Sequence, residues 1–467
     1  MRLEFEFIQV AMGLRERLSA VPSFHKWQAL FEFCKRQSLL GFGFAAVEKL
    51  HKVGVECPAD IRLQWYGYAL KIERMNEKLN IQCGEITKRY EHDGLRCCIL
   101  KGQGNLLNYP ESLRMRRTPG DIDIWCITPP SGLSMPNASL RDYTNYQGIN
   151  AVMEYVRMQY RLKGTDVHPK ACYHHIEAPS MDGTKVEVHY RPAFLRSPLR
   201  NWRMQRWFEL HADECIKNKT HLGFSMMTSS VNVVYQMCHL YTHIFEGGIG
   251  LRQLMDYYFA LRVWHNDVME CKDLQTQGMW SEGLGTPVMS KEEVMAELRS
   301  FGMGRFAGAV MFVINVVFGG GNENDNENEN GPRRTRRKTD GGLQADFVRE
   351  HESSEFKQNF NGGPQADDGG ERELKRINRE LKENNFAPWM ICEPNEKEGR
   401  RLLGEIMKGG NFGQYDTRDA ELKKGGMMMH GVWKLKRVMR LVRSYPEEAL
   451  WEPVFRVWHL GWRKIHG

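Results

Sequence analysis

Two aspartates, Asp121 and Asp123, stand two residues apart at the head of the run Asp121-Ile122-Asp123-Ile124-Trp125-Cys126-Ile127. In an extended strand the side chains alternate between faces, so both carboxylates share one side while Ile122, Ile124 and Cys126 share the other. Carboxylates placed this way repel each other in an apolar setting unless a cation lies between them. A hard divalent cation bound through oxygen, Mg²⁺ first, is the expected answer. A third carboxylate has a matching place. His174 to Pro179 and Lys185 to Tyr190 flank Ser180-Met181-Asp182-Gly183-Thr184, which reads as a β-hairpin with an Asp-Gly turn. In its second arm Val186, Val188 and Tyr190 share one face and Glu187 and His189 the other, which makes Glu187 the expected third ligand.

Upstream, Leu95 to Leu100, with Cys97, Cys98 and Ile99, reads as a short buried strand ending at Lys101-Gly102. Gln103 to Asn108 follows as the first turns of a helix stopped by Pro110. A strand, a glycine bend and a helix N-terminus together present backbone N–H groups to a phosphate. Arg114, Arg116 and Arg117 precede the acidic strand, where a guanidinium can hold a triphosphate.

Lys101-Gly102, Arg117, Gly120-Asp121-Ile122-Asp123 and Val186-Glu187-Val188-His189 together resemble the motif set of the polymerase-beta-type nucleotidyltransferase superfamily, in its branch of poorly characterised bacterial nucleotidyltransferases. The match covers roughly residues 95–192 and, more loosely, the helical stretch with His239, His243 and Asp256. Gln103 stands where that superfamily usually has Gly or Ser, although Gly104 follows. The resemblance implies a cytoplasmic enzyme that moves a nucleoside monophosphate from a nucleoside triphosphate to a hydroxyl acceptor, whether small molecule, protein or RNA, with release of pyrophosphate. It implies two Mg²⁺ (or Mn²⁺) ions held by Asp121, Asp123 and Glu187, with Glu187 also serving as proton acceptor. Lys101, Gly102, Gln103 and Arg117 would form the nucleotide-binding set. Two other readings stay open: a toxin-like nucleotidyltransferase acting on tRNA ends, and a catalytically inactive scaffold that binds nucleotide or a protein partner, for which the Gln103 departure speaks.

Positioning these residues calls for an α/β (α+β) fold. The expected order is strand, helix, strand, helix and two antiparallel strands, giving a small mixed β-sheet nucleotidyltransferase core flanked by N-terminal and C-terminal helical regions. Five segments are expected: an N-terminal helical cap over 1–92, the catalytic core over 93–195, a helical domain over 196–318, a disordered low-complexity insert over 319–370, and a C-terminal helical region over 371–467. In the cap, helical spacing runs from Leu14 to His51, broken by Gly41, Gly43, Gly54 and Pro58. A second helix extends from about Ala59 to Arg89, with Leu63, Trp65, Tyr66, Leu70, Ile72 and Met75 as its buried stripe. Ile149 to Leu162 is the helix between the acidic strand and the hairpin.

Further along, Ser229 to Phe245 is helical and carries His239 and His243 on one face, and the helix beginning at Leu251 carries Arg252 and Asp256 four apart. No Glu follows His239, unlike a His-Glu-x-x-His metal motif. The plainer reading makes the pair core histidines near the mouth of the site, hydrogen-bonded to a partner such as Asp256. The alternative has them line a pocket for the base or the acceptor. Lys408 to Asp416 is a glycine-rich turn without the Lys-Ser/Thr ending of a Walker motif, hence a structural turn. The last helix pair sets Trp433, Leu435, Val438, Met439 and Leu441 against Lys434, Lys436, Arg437, Arg440 and Arg443, and is expected to pack on the helices before it.

The balance of 65 basic against 58 acidic side chains is compatible with nucleotide or RNA binding without arguing for it. Nor do the five basic residues among Arg333 to Lys338 single out nucleic acid, because such a run is usually a solvated tail or insert. The eleven cysteines form no Cys-x-x-Cys pair, and several lie in apolar runs, as expected of a reducing, cytoplasmic setting. Glu4 and Glu6 stand where the apolar core of a signal peptide would begin, so none is expected. Phe306 to Phe318, about 13 residues with Asn315 inside, is short of the roughly 20 needed to span a membrane and is expected as a buried helix.

Overall fold

Four strands form the sheet expected from the alternation in the sequence: β1 (Arg96–Ile99), β2 (Ile122–Ile127), β3 (His175–Met181) and β4 (Thr184–His189), in the spatial order β1-β2-β4-β3. The computed structural model describes residues 2–128, 148–164, 167, 169–276, 288–319, 387–418, 421–422 and 425–466. β1 and β2 are antiparallel, β2 and β4 parallel, and β4 and β3 antiparallel, so the sheet is mixed. The hairpin turns at Asp182 and Gly183, both at positive φ, the pair of left-handed conformations that a two-residue Asp-Gly turn supplies. β3 is an edge strand, which is where its Pro179 is tolerated.

One face of the sheet is apolar. Cys97, Ile99, Ile122, Ile124, Cys126, Ile176, Val186 and Val188 are all buried there against two helices, α4 (Ala59–His92) and α7 (Ile149–Leu162). α4 contributes Leu79, Cys83, Ile86 and Tyr90, and α7 contributes Val152, Met153, Tyr155 and Val156. With that face closed by hydrophobic burial, the alternating residues Asp123, Glu187 and His189 are turned to the opposite face.

Ahead of the sheet, α1 (Leu3–Met12), α2 (Phe24–Arg36) and α3 (Leu40–Lys52) pack with the first half of α4 around Phe7, Trp27 and Trp65. Helical spacing in the cap begins at Leu14 in the sequence, whereas α1 ends at Met12 and no helix among the described residues runs from there to Phe24. The burial of α1 is nearly complete on all sides, so no 3.6-residue alternation marks it. The stripe of α4 also differs from expectation. Trp65 and Ile72 are buried, but Leu63, Tyr66 and Met75 are exposed, and the inward face runs through Ile61, Ala69, Asn76 and Leu79. Gly41 and Gly43 do not break the helix but lie within α3, where a side chain has no room. A Cβ on Gly41 would stand 2.0 Å from the Arg116 carbonyl oxygen, and one on Gly43 would stand 2.4 Å from the Trp65 ring. Gly41→Ala is therefore expected to cost about 1–3 kcal/mol through overpacking, read as a lower denaturant midpoint with an unchanged m-value.

After the sheet come α8 (Pro198–Leu210), α9 (Ala212–Lys217), α10 (Ser229–Glu246), α11 (Leu251–Thr276), α12 (Lys291–Ser300) and α13 (Gly304–Phe318). As expected, α13 is a buried helix, and no helix among the described residues is long and apolar enough to cross a membrane. The C-terminal part supplies α14 (Glu396–Gly409), α15 (Met427–Val442) and α16 (Pro446–His466). In α15, Trp433 and Val438 are buried as expected. Leu435 and Met439 are exposed, while Arg437 is buried, its guanidinium donating to the Ile244 carbonyl at 3.0 Å. The low-complexity insert and its basic run at 333–338 lie outside the described residues.

Candidate active site

Parallel pairing of β2 with β4 sets Asp123 directly opposite Glu187, on the face that the apolar core does not use. Asp121 lies one pleat before Asp123, and ligand oxygens of Asp121, Asp123 and Glu187 all fall within 4.8 Å of one another. The three carboxylates chosen from the sequence therefore meet. Gly102 bends beside them at φ 61°, a conformation that favours glycine, and a Cβ there would sit 3.5 Å from the Asp121 carbonyl oxygen. Lys101, on the same bend, turns its Nζ to 3.1 Å from Asp123 Oδ1.

Asp123 is 1% exposed, and His189 Nε2 stands 3.0 Å from the same Oδ1. Its other oxygen, Oδ2, is buried without a hydrogen-bond partner among the described residues. Burial works against the charged form of Asp123, but Lys101 and the hydrogen bond from His189 outweigh it and hold the carboxyl below its usual range. Asp121 goes the other way: the charge of Asp123, then burial, raises its pKa. Glu187 accepts from Lys185 Nζ at 2.6 Å and lies 3.6 Å from His175 Nδ1 and 3.7 Å from His189 Nε2. Against the cost of burial, His189, His175 and Lys101 hold it far below the ordinary carboxylate range. Burial depresses His174 strongly and takes His175 down to about 3.

The other expected residues divide. Gln103 is buried, and its Nε2 donates to Asn80 Oδ1 at 2.6 Å and to the Asn76 carbonyl at 3.3 Å, so its amide nitrogen is directed to α4. The helix it begins, α5 (Gln103–Leu106), is a single turn, with too few aligned peptides for a sizeable dipole. Arg117 is 2% exposed and bidentate to Asp256, Nε to Oδ1 at 2.7 Å and Nη2 to Oδ2 at 2.8 Å; Tyr109 also donates to Oδ1, at 2.6 Å. Asp256 therefore pairs with Arg117 and Tyr109, not with His239 or His243. The two histidines meet edge to face at 4.3 Å, His243 Nδ1 lies 3.3 Å from Glu246 Oε2, and both line the cavity over the carboxylates. That is the pocket-lining arrangement the sequence offered as its alternative.

This cavity, about 1120 Å³, has the polar face of the sheet as one wall and α10 and α11 as another, and Lys434, Arg456 and Arg463 reach it from α15 and α16. Arg196 ties α16 in place through ion pairs with Glu448 and Glu452. Three features of the lining were missed from the sequence. Asn105 is fully buried, and neither its Nδ2 nor its Oδ1 is hydrogen-bonded among the described residues. Arg252, one turn before Asp256, donates Nη1 to the Thr118 carbonyl, and its Nε has no partner among the described residues. Its pKa is lowered by burial and by the neighbouring Arg117, so it is a cation short of negative charge. Phe412 enters from the glycine turn at 410–413 and meets His243 edge-on. The sole signal for Asn105 was an amide in a short apolar helix, and Arg252 had been read merely as a neighbour of Asp256. The glycines of that turn are spatial requirements, since a Cβ on Gly413 would stand 1.9 Å from the Gly247 carbonyl oxygen.

No curated protein and no solved structure matches the chain. A family model described as an uncharacterised nucleotidyltransferase matches residues 24–277, more than half of the 467 residues, from the helical cap through the sheet to the end of α11. With the converging carboxylates and the glycine bend inside that span, the chain belongs to this family of nucleotidyltransferases.

Proposed function

We propose that the cavity binds a nucleoside triphosphate and that the protein transfers its nucleoside monophosphate to a hydroxyl acceptor, releasing pyrophosphate. In the reaction a bond forms between the acceptor oxygen and the α-phosphorus while the bond from that phosphorus to the bridging oxygen breaks and the acceptor hydroxyl gives up its proton to solvent. The observation that carries this reading is the convergence of Asp121, Asp123 and Glu187 at the glycine bend. The residues suit a hard divalent cation on their own chemistry: three carboxylates within reach of one another, one repelled by its neighbour, and a buried Asp123 oxygen without a partner. Asp121, Asp123 and Glu187 would hold Mg²⁺ or Mn²⁺, which supplies charge neutralisation on the phosphates and acidifies the acceptor hydroxyl.

The chain's own residues complete the arrangement. His189 fixes Asp123 from below, and Lys101 balances the carboxylates until a phosphate draws it away. Arg117 is bound up with Asp256, so its part is to hold the 117–121 segment, and Arg252 beside it is the guanidinium left for phosphate oxygens. Asn105 offers an amide to the sugar or base. Removing one charge-assisted hydrogen bond of 1.5–3 kcal/mol, Arg252→Ala is expected to raise KM for the triphosphate by roughly 10- to 10²-fold, with a smaller change in kcat.

Binding can be tested without knowing the acceptor. A non-hydrolysable triphosphate analogue titrated calorimetrically is expected to bind more tightly when Mn²⁺ is present, and Glu187→Gln is expected to abolish that gain. Equal affinity with and without Mn²⁺ in the unaltered protein would argue against the proposal.

A further inference from the structure

Beside the carboxylates, at the start of β3, lies a cluster that the transfer reaction does not use. Cys172 Sγ stands 3.4 Å from His174 Nδ1, and His174 Nε2 stands 3.0 Å from His175 Nδ1. Donor atoms of all three residues fall within 4.8 Å of one another. We propose that Cys172, His174 and His175 form a second cation site, for a borderline-soft divalent ion of the Zn²⁺ type, distinct from the site of the three carboxylates and opening on the same cavity.

The grouping comes from local backbone, not from chance packing of distant side chains. Ala171 bridges Ile176, and the Cys172 amide donates to the His175 carbonyl at 2.9 Å. This closes a tight turn that gathers its side chains on one side. The rings are also held: His174 stacks on Phe194, with centroids 4.8 Å apart, and meets His189 at 5.4 Å. Such preorganisation favours binding, because little side-chain freedom is left to lose.

Donor chemistry separates this site from its neighbour. A cysteine sulfur and two imidazole nitrogens suit Zn²⁺, whereas carboxylate oxygens suit Mg²⁺. Binding converts the Cys172 thiol to a thiolate, with one proton released to solvent and no change of oxidation state. Three protein ligands leave a fourth position open to water. A filled site would pin the turn before β3 to the wall of the cavity. The proposal does not depend on the transferase reading, since its donors are other residues.

The full-length protein, stripped with chelator, is titrated with Zn²⁺ against a chromophoric competitor and separately with Co²⁺, followed by absorption. The expected result is one equivalent of Zn²⁺ bound at submicromolar Kd, and a Co²⁺ adduct with a near-ultraviolet thiolate charge-transfer band and the visible bands of a four-coordinate ion. Cys172→Ser is expected to remove the charge-transfer band and weaken Zn²⁺ binding by on the order of 10²-fold or more. Asp121→Asn/Asp123→Asn is expected to leave both intact. Circular dichroism checks the fold of each variant, and the Co²⁺ spectrum of the unaltered protein decides the matter even if Cys172→Ser does not fold. The proposal is overturned by a Co²⁺ spectrum without a thiolate band, by absence of stoichiometric Zn²⁺, or by Zn²⁺ binding that survives Cys172→Ser but is lost in Asp121→Asn/Asp123→Asn.

Discussion

Asp121→Asn is expected to lower nucleotidyl transfer by on the order of 10³-fold, the scale of removing one preorganised charge from a transition-state site, while making the cation-free protein more stable. The opposite signs follow from the Asp123 charge beside it, which raises the pKa of Asp121 in the folded state. A carboxyl whose folded pKa exceeds its unfolded value binds its proton more tightly in the native state. Its favourable contribution is complete below the unfolded pKa and is lost as the pH rises through the folded pKa. At neutral pH, ionised Asp121 therefore opposes folding, and neutral Asn relieves that opposition. Thermal melts in chelator at pH 7 should place the variant above the unaltered protein, with the gap closing as the pH falls into the acid range. Millimolar Mg²⁺ should reverse the order, because only the unaltered protein gains binding free energy. Asp123→Asn should behave differently. Its pKa is lowered by Lys101 and His189, and its loss removes the carboxylate that pairs with Lys101 at 3.1 Å. That variant is expected to lose both activity and stability. A lower melting temperature for Asp121→Asn in chelator would contradict the electrostatic account of the site.

The largest effect on stability is expected at Asp256. Its carboxylate meets Arg117 with two parallel hydrogen bonds at 2.7 and 2.8 Å, both side chains being almost wholly buried. Asp256→Ala removes one partner and leaves a guanidinium inside, which costs about 3–5 kcal/mol for a buried pair broken from one side. Pairing also acts at a distance on the site. Asn76 Nδ2 donates to the Arg117 carbonyl at 2.8 Å, so the guanidinium and the backbone together fix the segment leading to Asp121. Asp256→Ala should thus slow transfer as well as destabilise. Asp256→Ala/Arg117→Met, which removes both charges, should regain much of the stability, since an apolar replacement of a buried pair is often neutral. Urea unfolding of the two single variants and the double variant supplies the cycle. Additive single effects would show that the pair does not couple.

What was legible in the sequence was what a few consecutive residues decide. Alternation along Asp121 to Ile127 and along Lys185 to Tyr190 assigned each side chain to a face, and Asp182-Gly183 fixed the hairpin between β3 and β4. The parallel register that sets Asp123 against Glu187 is a long-range pairing that the two strand patterns only permit. Arginines show the same division. In the chain Arg117, ahead of the acidic strand, looks suited to phosphate and Arg252 only neighbours Asp256, and tertiary structure alone commits Arg117 to Asp256. Gln103 departs from the superfamily pattern at a position whose side chain faces α4, so the departure removes less from the site than the motif suggested. In α4 several apolar residues lie off the buried face, and the sequence stripe picked Leu63 and Met75, which the cap leaves exposed. Gly41 and Gly43 resemble helix breakers until the backbone and the ring that press on them are seen. The reach of α15 and α16 to the cavity, more than two hundred residues after the carboxylates, left no local trace.

The central claim is nucleotidyl transfer at Asp121, Asp123 and Glu187. It is tested most directly by incubating the protein with each nucleoside triphosphate, labelled in parallel at the α- or the γ-phosphate, together with Mg²⁺ or Mn²⁺ and mixed acceptors. For at least one triphosphate the α-label is predicted to pass to an acceptor while the γ-label leaves as pyrophosphate, with none of this in chelator or with Asp121→Ala/Asp123→Ala. Transfer of the γ-label instead, or α-label transfer that survives the double substitution, would contradict the account.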